Sequence, residues 1–143
     1  MSHIQRTALV PFTAQQMYEL VNDVEAYPRR FEWCERAEIR DRGAGFLVAA
    51  LDVRLGALRA AFTTRNSLTP GERIDMSLVD GPFRALSGGW TFRALGPAGS
   101  KVGLLLDFEV AGRWVGSALA LGFQGLADRM VDDFVREARL AYG

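Results

Sequence analysis

The spacing of apolar positions changes twice along the chain. "HIQRTALVPF" (3–12) alternates Ile4, Ala8 and Val10 with Gln5 and Thr7 and is closed by Pro11, the pattern of a strand. Thr13 stands where an N-cap is wanted before "AQQMYELVN", whose Met17, Leu20 and Val21 share a helical face. Asp23 is placed to cap a second short helical piece, which Pro28 limits. From about residue 35 the period drops to two. "ERAEIRDRG" predicts a strand broken by Gly43. "FLVAALDVRLG" (46–56) puts Leu47, Ala49, Leu51, Val53 and Leu55 on one face. After a turn at Gly56, "ALRAAFTTRNSL" (57–68) sets Leu58, Ala60 and Phe62 against Arg59, Thr63 and Arg65. "RIDMSLV" exposes Arg73, Asp75 and Ser77 and buries Ile74, Met76 and Leu78, and Asp80-Gly81-Pro82 turns the chain again. In "FRALSGGWTFRAL", Gly88-Gly89 predicts a bulge or sharp bend. "KVGLLLDFEV" carries Val102, Leu104, Leu106, Phe108 and Val110 on one face. The period then lengthens over 114–142, where Val115, Leu119, Phe123, Leu126, Met130, Phe134, Ala138 and Ala141 recur at spacings of three and four. The order predicts one α+β domain over 1–143. In it a curved antiparallel sheet of about six to seven strands wraps a long C-terminal helix, with short helices after the first strand.

Composition narrows the function classes. Apolar residues make up 49% and charged residues 24%, which argues against disorder. Seventeen basic and seventeen acidic residues balance, so the overall charge is not that of a general nucleic-acid binder, and DNA is not an expected partner. The single cysteine, Cys34, excludes an internal disulfide and fits a reducing compartment. "MSHIQRTALV" lacks the basic-then-apolar order of a signal peptide. "WVGSALALGFQGLA" (114–127) falls short of the ~20 apolar residues of a membrane span. The expectation is a cytoplasmic protein with no transmembrane segment and at most peripheral contact with the inner membrane.

His3 is the lone histidine, and nothing in the sequence positions it in a triad. No His/Cys/carboxylate spacing suggests a metal site, and no glycine-rich phosphate loop follows a strand. Asp107 and Glu109, like Asp132 and Asp133, read as solvated faces, so no catalytic residue and no required cofactor are expected. The aromatic inventory stands out. Tyr27, Phe31, Trp33, Phe62, Phe83, Trp90, Phe92, Phe108 and Phe123 fall on inward elements, with Met76 and Met130 beside them. They either fill a core or line an apolar cavity. "LVNDVEAYPRRFEWC" (20–34) concentrates this choice, being either a corner plugged by core residues or a gate over the cavity. Arg29 and Arg30 beside Tyr27, with Arg36 and Arg40 downstream, suit an exposed basic-aromatic edge for phosphate and base contacts. Solvated charges balanced by Glu25, Glu32 and Glu35 are the alternative.

"ALVPFTAQQMYELVNDVEAYPRRFEWC", "FTTRNSLT", "LVDGPFRALSGGWTF" and "LDFEV", followed by the "MVDDFVREA" helix, resemble one family in order and over essentially the whole chain. It is the group of ribosome association toxins and coenzyme Q-binding START-like proteins within the polyketide cyclase/dehydrase superfamily. "FTTRN" and the "TALVPF" opening lean toward the toxin branch. The resemblance implies a helix-grip fold around a hydrophobic tunnel, which agrees with the layout read from periodicity. It implies a non-enzymatic protein that holds an isoprenoid quinone or similar lipid. It also implies binding to the large ribosomal subunit that hinders 70S formation, and a small ubiquitin-like antitoxin partner. The cavity candidates above would line the tunnel, and Arg29, Arg30, Arg36 and Arg40 would be the ribosome contacts. At 29–32, "RRFE" departs from the family pattern and makes the corner more charged. Some superfamily members are cyclases or dehydratases acting on aromatic polyketides, which is the alternative. That chemistry needs a positioned acid or base, whereas the inward polar residues Thr64, Asn66 and Ser87 orient a ligand but transfer protons poorly.

Overall fold

The computed structural model describes residues 1–112 and 116–143. Strand β1 (Ser2–Val10) leads into helix α1 (Ala14–Asn22), a 3₁₀ turn (Val24–Ala26) and helix α2 (Tyr27–Arg30). A meander follows: β2 (Cys34–Gly43), β3 (Phe46–Leu55), β4 (Leu58–Thr69), β5 (Arg73–Asp80), β6 (Phe83–Ala94) and β7 (Ser100–Val110), then helix α3 (Gly116–Tyr142). The seven strands form one antiparallel sheet in the order β1-β7-β6-β5-β4-β3-β2, so β1 pairs with the last strand and β2 is the opposite edge. The inner face of the sheet packs against α3 and the short helices in one core. No helix among the described residues is long and apolar enough to cross a membrane.

Local chemistry explains the corner after β1. Thr13 caps α1 reciprocally with Gln16, its hydroxyl accepting from Gln16 N at 3.0 Å while the Gln16 side chain accepts from Thr13 N at 2.9 Å. Asp23 holds the capping position of the 3₁₀ turn, but its side chain makes no capping bond and lies 3.7 Å from Arg30 Nη2. Pro28 opens α2 instead of closing a helix, because the first turn has no use for its missing N–H.

Along the strands, period-two burial holds except at bulges. A register shift between Thr63 and Thr64 breaks the alternation on β4, and Thr63 is buried where an exposed position was expected. On β6 the bulge lies between Phe83 and Ala85, and pairing with β7 runs unbroken through Gly88-Gly89. The phase after that bulge turns Leu86 inward and Ser87 out to solvent, so Ser87 faces no ligand. Gly88 serves close approach: a Cβ there would stand 2.0 Å from the Leu105 carbonyl oxygen, at a φ of +150°. Helix α3 buries Leu119, Phe123, Leu126, Ala127, Val131, Phe134 and Ala138. Its 27 residues span roughly 40 Å. Val115, predicted on the same stripe, lies outside the described residues, and Ala141 is exposed. The stripe stops short because the final turn leaves the sheet. There Tyr142 packs on Phe12 at 6.0 Å and donates to the Gln16 carbonyl at 3.2 Å.

Candidate functional site

Between the inner face of the sheet and α3 lies a cavity of about 70 Å³. Tyr27 and Trp33 from the corner, Phe62, Met76 and Trp90 from the sheet, and Phe123 and Met130 from α3 stand on its wall as expected positions. Phe31, Phe83, Phe92 and Phe108 do not, and each fills core behind the wall. Phe31 stacks on Trp33 at 4.8 Å and meets Phe134 at 4.7 Å. Phe83 and Phe108 pack edge-on against Phe123 at 4.8 and 4.7 Å, and Phe92 is held by Tyr18 at 5.8 Å. The corner is thus both plug and wall: Phe31 is interior packing, while Tyr27 and Trp33 reach the cavity. Weighting aromatics alone missed Val24, Ala49, Leu51, Leu86, Leu104 and Leu106. The period-two pattern already placed four of these inward; Leu86 was hidden by the bulge before it.

Most polar groups on this wall are already engaged. The Tyr27 hydroxyl donates to the Val21 carbonyl, and its pKa is raised, chiefly by burial and then by the nearby Cys34 and Asp23. The Trp33 indole N–H donates to Asp133 Oδ2 at 3.0 Å. Asp133 is therefore not on a solvated face. It is 8% exposed, with Arg136 Nη2 at 3.1 Å and Arg129 Nε at 3.7 Å. Two arginines beside it make burial of a carboxylate tolerable, and the carboxylate in turn fixes the indole of a wall residue. Asp133→Ala is expected to cost about 1–3 kcal/mol by orphaning the indole N–H, with Asp133→Asn costing less because an acceptor remains. Urea denaturation midpoints test this; equal midpoints for wild type and alanine variant would show the bond to be dispensable. On β4 the Thr64 hydroxyl donates to Asn66 Oδ1 at 2.8 Å, both residues being buried on the cavity side. Burial pushes the Cys34 thiol up to about 11, and it donates to the Arg36 carbonyl at 3.4 Å, so it is a packing residue and a poor nucleophile.

The volume sets a condition on any ligand. Drug-sized pockets hold roughly 300–1,000 Å³, so 70 Å³ accepts a larger molecule only if wall side chains move. Leu51, Phe62, Met76 and Met130 are the half-buried apolar wall residues, and methionine repacks readily.

The arginine set divides. Arg29, Arg36 and Arg40 are exposed, and no ion pair to them is recorded among the described residues. Arg30 does not face out: its side chain is 22% exposed and leans on Asp23. Arg36 and Arg40 lie on edge strand β2, where charge also discourages strand-to-strand aggregation. An open cleft of about 510 Å³ outside the corner is lined by charges that pair with one another, including Arg30 with Asp23 and Arg42 with Glu25 at 3.8 Å. It reads as solvated surface. His3 pairs across β1–β7 with Asp107 on the outer face, away from the cavity. Among the described residues no group of three or more His, Cys, Asp or Glu is placed to hold a metal.

Comparison with known proteins agrees with this geometry. A family model described as polyketide cyclase/dehydrase and lipid transport matches residues 10–135. The Vibrio cholerae ribosome association toxin RatA is 43% identical over 143 residues, covering 100% of this chain and 99% of the relative. RatA of Pseudomonas aeruginosa is 42% identical, covering 99% of each. The mitochondrial coenzyme Q-binding protein COQ10 of Drosophila melanogaster is 27% identical, covering 94% of this chain and 57% of the relative. Among solved structures, the Zhui aromatase/cyclase from Streptomyces sp. R1128 superposes with a TM-score of 0.86 at 21% identity, covering 96% of this chain and 93% of that one. That likeness concerns the fold alone. An 18 kDa protein from Caulobacter crescentus superposes with a TM-score of 0.75 at 30% identity, covering 100% and 99%. A helix-grip sheet closed on α3, a family model over most of the length and end-to-end relatives converge on one statement: the chain belongs to the polyketide cyclase/dehydrase and lipid transport family, in which it is similar from end to end to proteins named ribosome association toxins.

Proposed function

We propose that this chain is a non-enzymatic START-like protein that hinders association of the ribosomal subunits, and that its cavity takes an apolar ligand. The first part is carried by identity of 42–43% running from end to end with proteins named ribosome association toxins. The surface that would meet the large subunit is the corner and edge strand bearing Arg29, Arg36 and Arg40, whose guanidinium groups suit phosphate oxygens. Arg30 is left out of this set because Asp23 engages it. The non-enzymatic reading is supported by the wall itself, where the Tyr27 hydroxyl and the Trp33 N–H are committed to protein partners. An isoprenoid quinone in the cavity and a small ubiquitin-like antitoxin are the finer parts of the proposal.

Overproduction in a bacterial host is expected to lower the 70S peak and raise the free-subunit peaks in sucrose gradients. The triple variant Arg29→Glu, Arg36→Glu, Arg40→Glu should lose most of that effect, since it reverses the charge at three phosphate-facing positions. Unchanged peaks on overproducing the wild-type protein would sink the proposal.

A further inference from the structure

We infer that Asn66 is the specificity residue of the cavity, and that it selects apolar ligands carrying a hydrogen-bond-accepting oxygen, such as a quinone or ketone carbonyl. This rests on the reading that the cavity takes an apolar ligand. Asn66 sits mid-sheet on β4, paired with Leu47 of β3 on one side and Met76 of β5 on the other. It is 6% exposed and stands on the cavity wall. Thr64, two residues earlier on the same face, donates its hydroxyl to the carboxamide oxygen. That bond uses the acceptor end and turns the amide. The nitrogen, with two donors, is the end left for an occupant, and no partner for it is recorded among the described residues.

Three neighbouring donors are spent: Tyr27 on the Val21 carbonyl, Trp33 on Asp133 and Thr64 on Asn66 itself. Among the described wall residues, Asn66 Nδ2 and the Trp90 indole N–H are the donors left without a partner, and Asn66 is the one whose group a neighbour, Thr64, orients. A ligand that supplies an acceptor to this amide gains what a hydrocarbon of the same shape forgoes. Among the described residues the wall carries no charged side chain, so a carboxylate or phosphate placed against them would be buried without a counter-charge. Faces of Trp33, Trp90, Phe62 and Phe123 complete a lining suited to a flat ring. Met76, directly across from Asn66, is the side chain such a ring would displace.

Two probes of nearly one shape test this by titration calorimetry: 2-methyl-1,4-naphthoquinone and 2-methylnaphthalene. The wild-type protein is expected to bind the quinone at least ~10-fold more tightly than the hydrocarbon. Asn66→Leu should lose most of that preference through weaker quinone binding, with hydrocarbon binding unchanged or tighter. Thr64→Val, which frees the carboxamide to rotate, should lose part of it. Asn66→Ser is read in place of the leucine variant if leucine does not fold, and should bind the quinone more weakly than wild type. Quinone binding by the Asn66 variants equal to wild type would overturn the role of Asn66 while leaving the cavity reading intact. Failure of both probes to bind the wild-type protein would overturn the cavity reading as well.

Discussion

Phe134→Ala is expected to lower stability by about 3–5 kcal/mol, the range for deleting a fully buried aromatic ring. Phe134 is 1% exposed and sits where three parts of the fold meet. Its ring lies 5.4 Å from Tyr27 and 4.7 Å from Phe31 in the corner, and 5.2 Å from Trp90 on the sheet. No small neighbour can swing into the vacated space, because the surrounding rings are held by one another. Set against the 5–15 kcal/mol of a typical domain, the loss brings the variant close to unfolding at 37 °C. Denaturant unfolding checks this, with Leu140→Ala on the same helix as control: Leu140 is 77% exposed and its truncation should shift stability by less than about 0.5 kcal/mol. Equal shifts for the two variants would mean that the corner and α3 are not held together through this ring.

Gly88→Ala is expected to cost about 3 kcal/mol or more, from overpacking and backbone strain together. The added Cβ would meet the Leu105 carbonyl oxygen at 2.0 Å and Leu106 Cα at 2.8 Å, and both belong to backbone in the β7 ladder. The φ of +150° is itself unfavourable for alanine. Gly125→Ala is the contrasting case. It lies within α3 with open space around its would-be Cβ, and alanine there should stabilise by roughly 0.5–1 kcal/mol. Thermal melts of the pair should move in opposite directions; a Gly88→Ala melt like that of wild type would show that β6 and β7 can part without loss.

These two sites mark what periodicity reveals and what it hides. The strands and α3 were legible because one face of each is buried, and a one-residue error in phase would expose the whole apolar set. The misreadings gather at bulges. Thr63 lies at one, and Leu86 and Ser87 exchange faces after another, since an inserted residue shifts the phase with no mark in composition. Asp133 was misread for a different reason. Its main partner, Trp33, lies 100 positions away, and a buried carboxylate on a helix is spelled the same as an exposed one. The wall was half legible. Inward position could be read for Phe83, Phe92 and Phe108, but whether an inward ring meets space or another ring depends on α3, which no strand pattern encodes. The Thr64–Asn66 pair was visible as two inward polar residues two apart, though the direction of their hydrogen bond was not.

The proposed ribosome-directed role is tested most directly with purified parts. Separated 30S and 50S subunits are mixed at a magnesium concentration that supports association, with increasing protein, and the particles are resolved by sedimentation. The 70S fraction is expected to fall as protein approaches the subunit concentration, and the triple arginine variant to leave it nearly intact. A 70S fraction unmoved by excess wild-type protein would contradict that role.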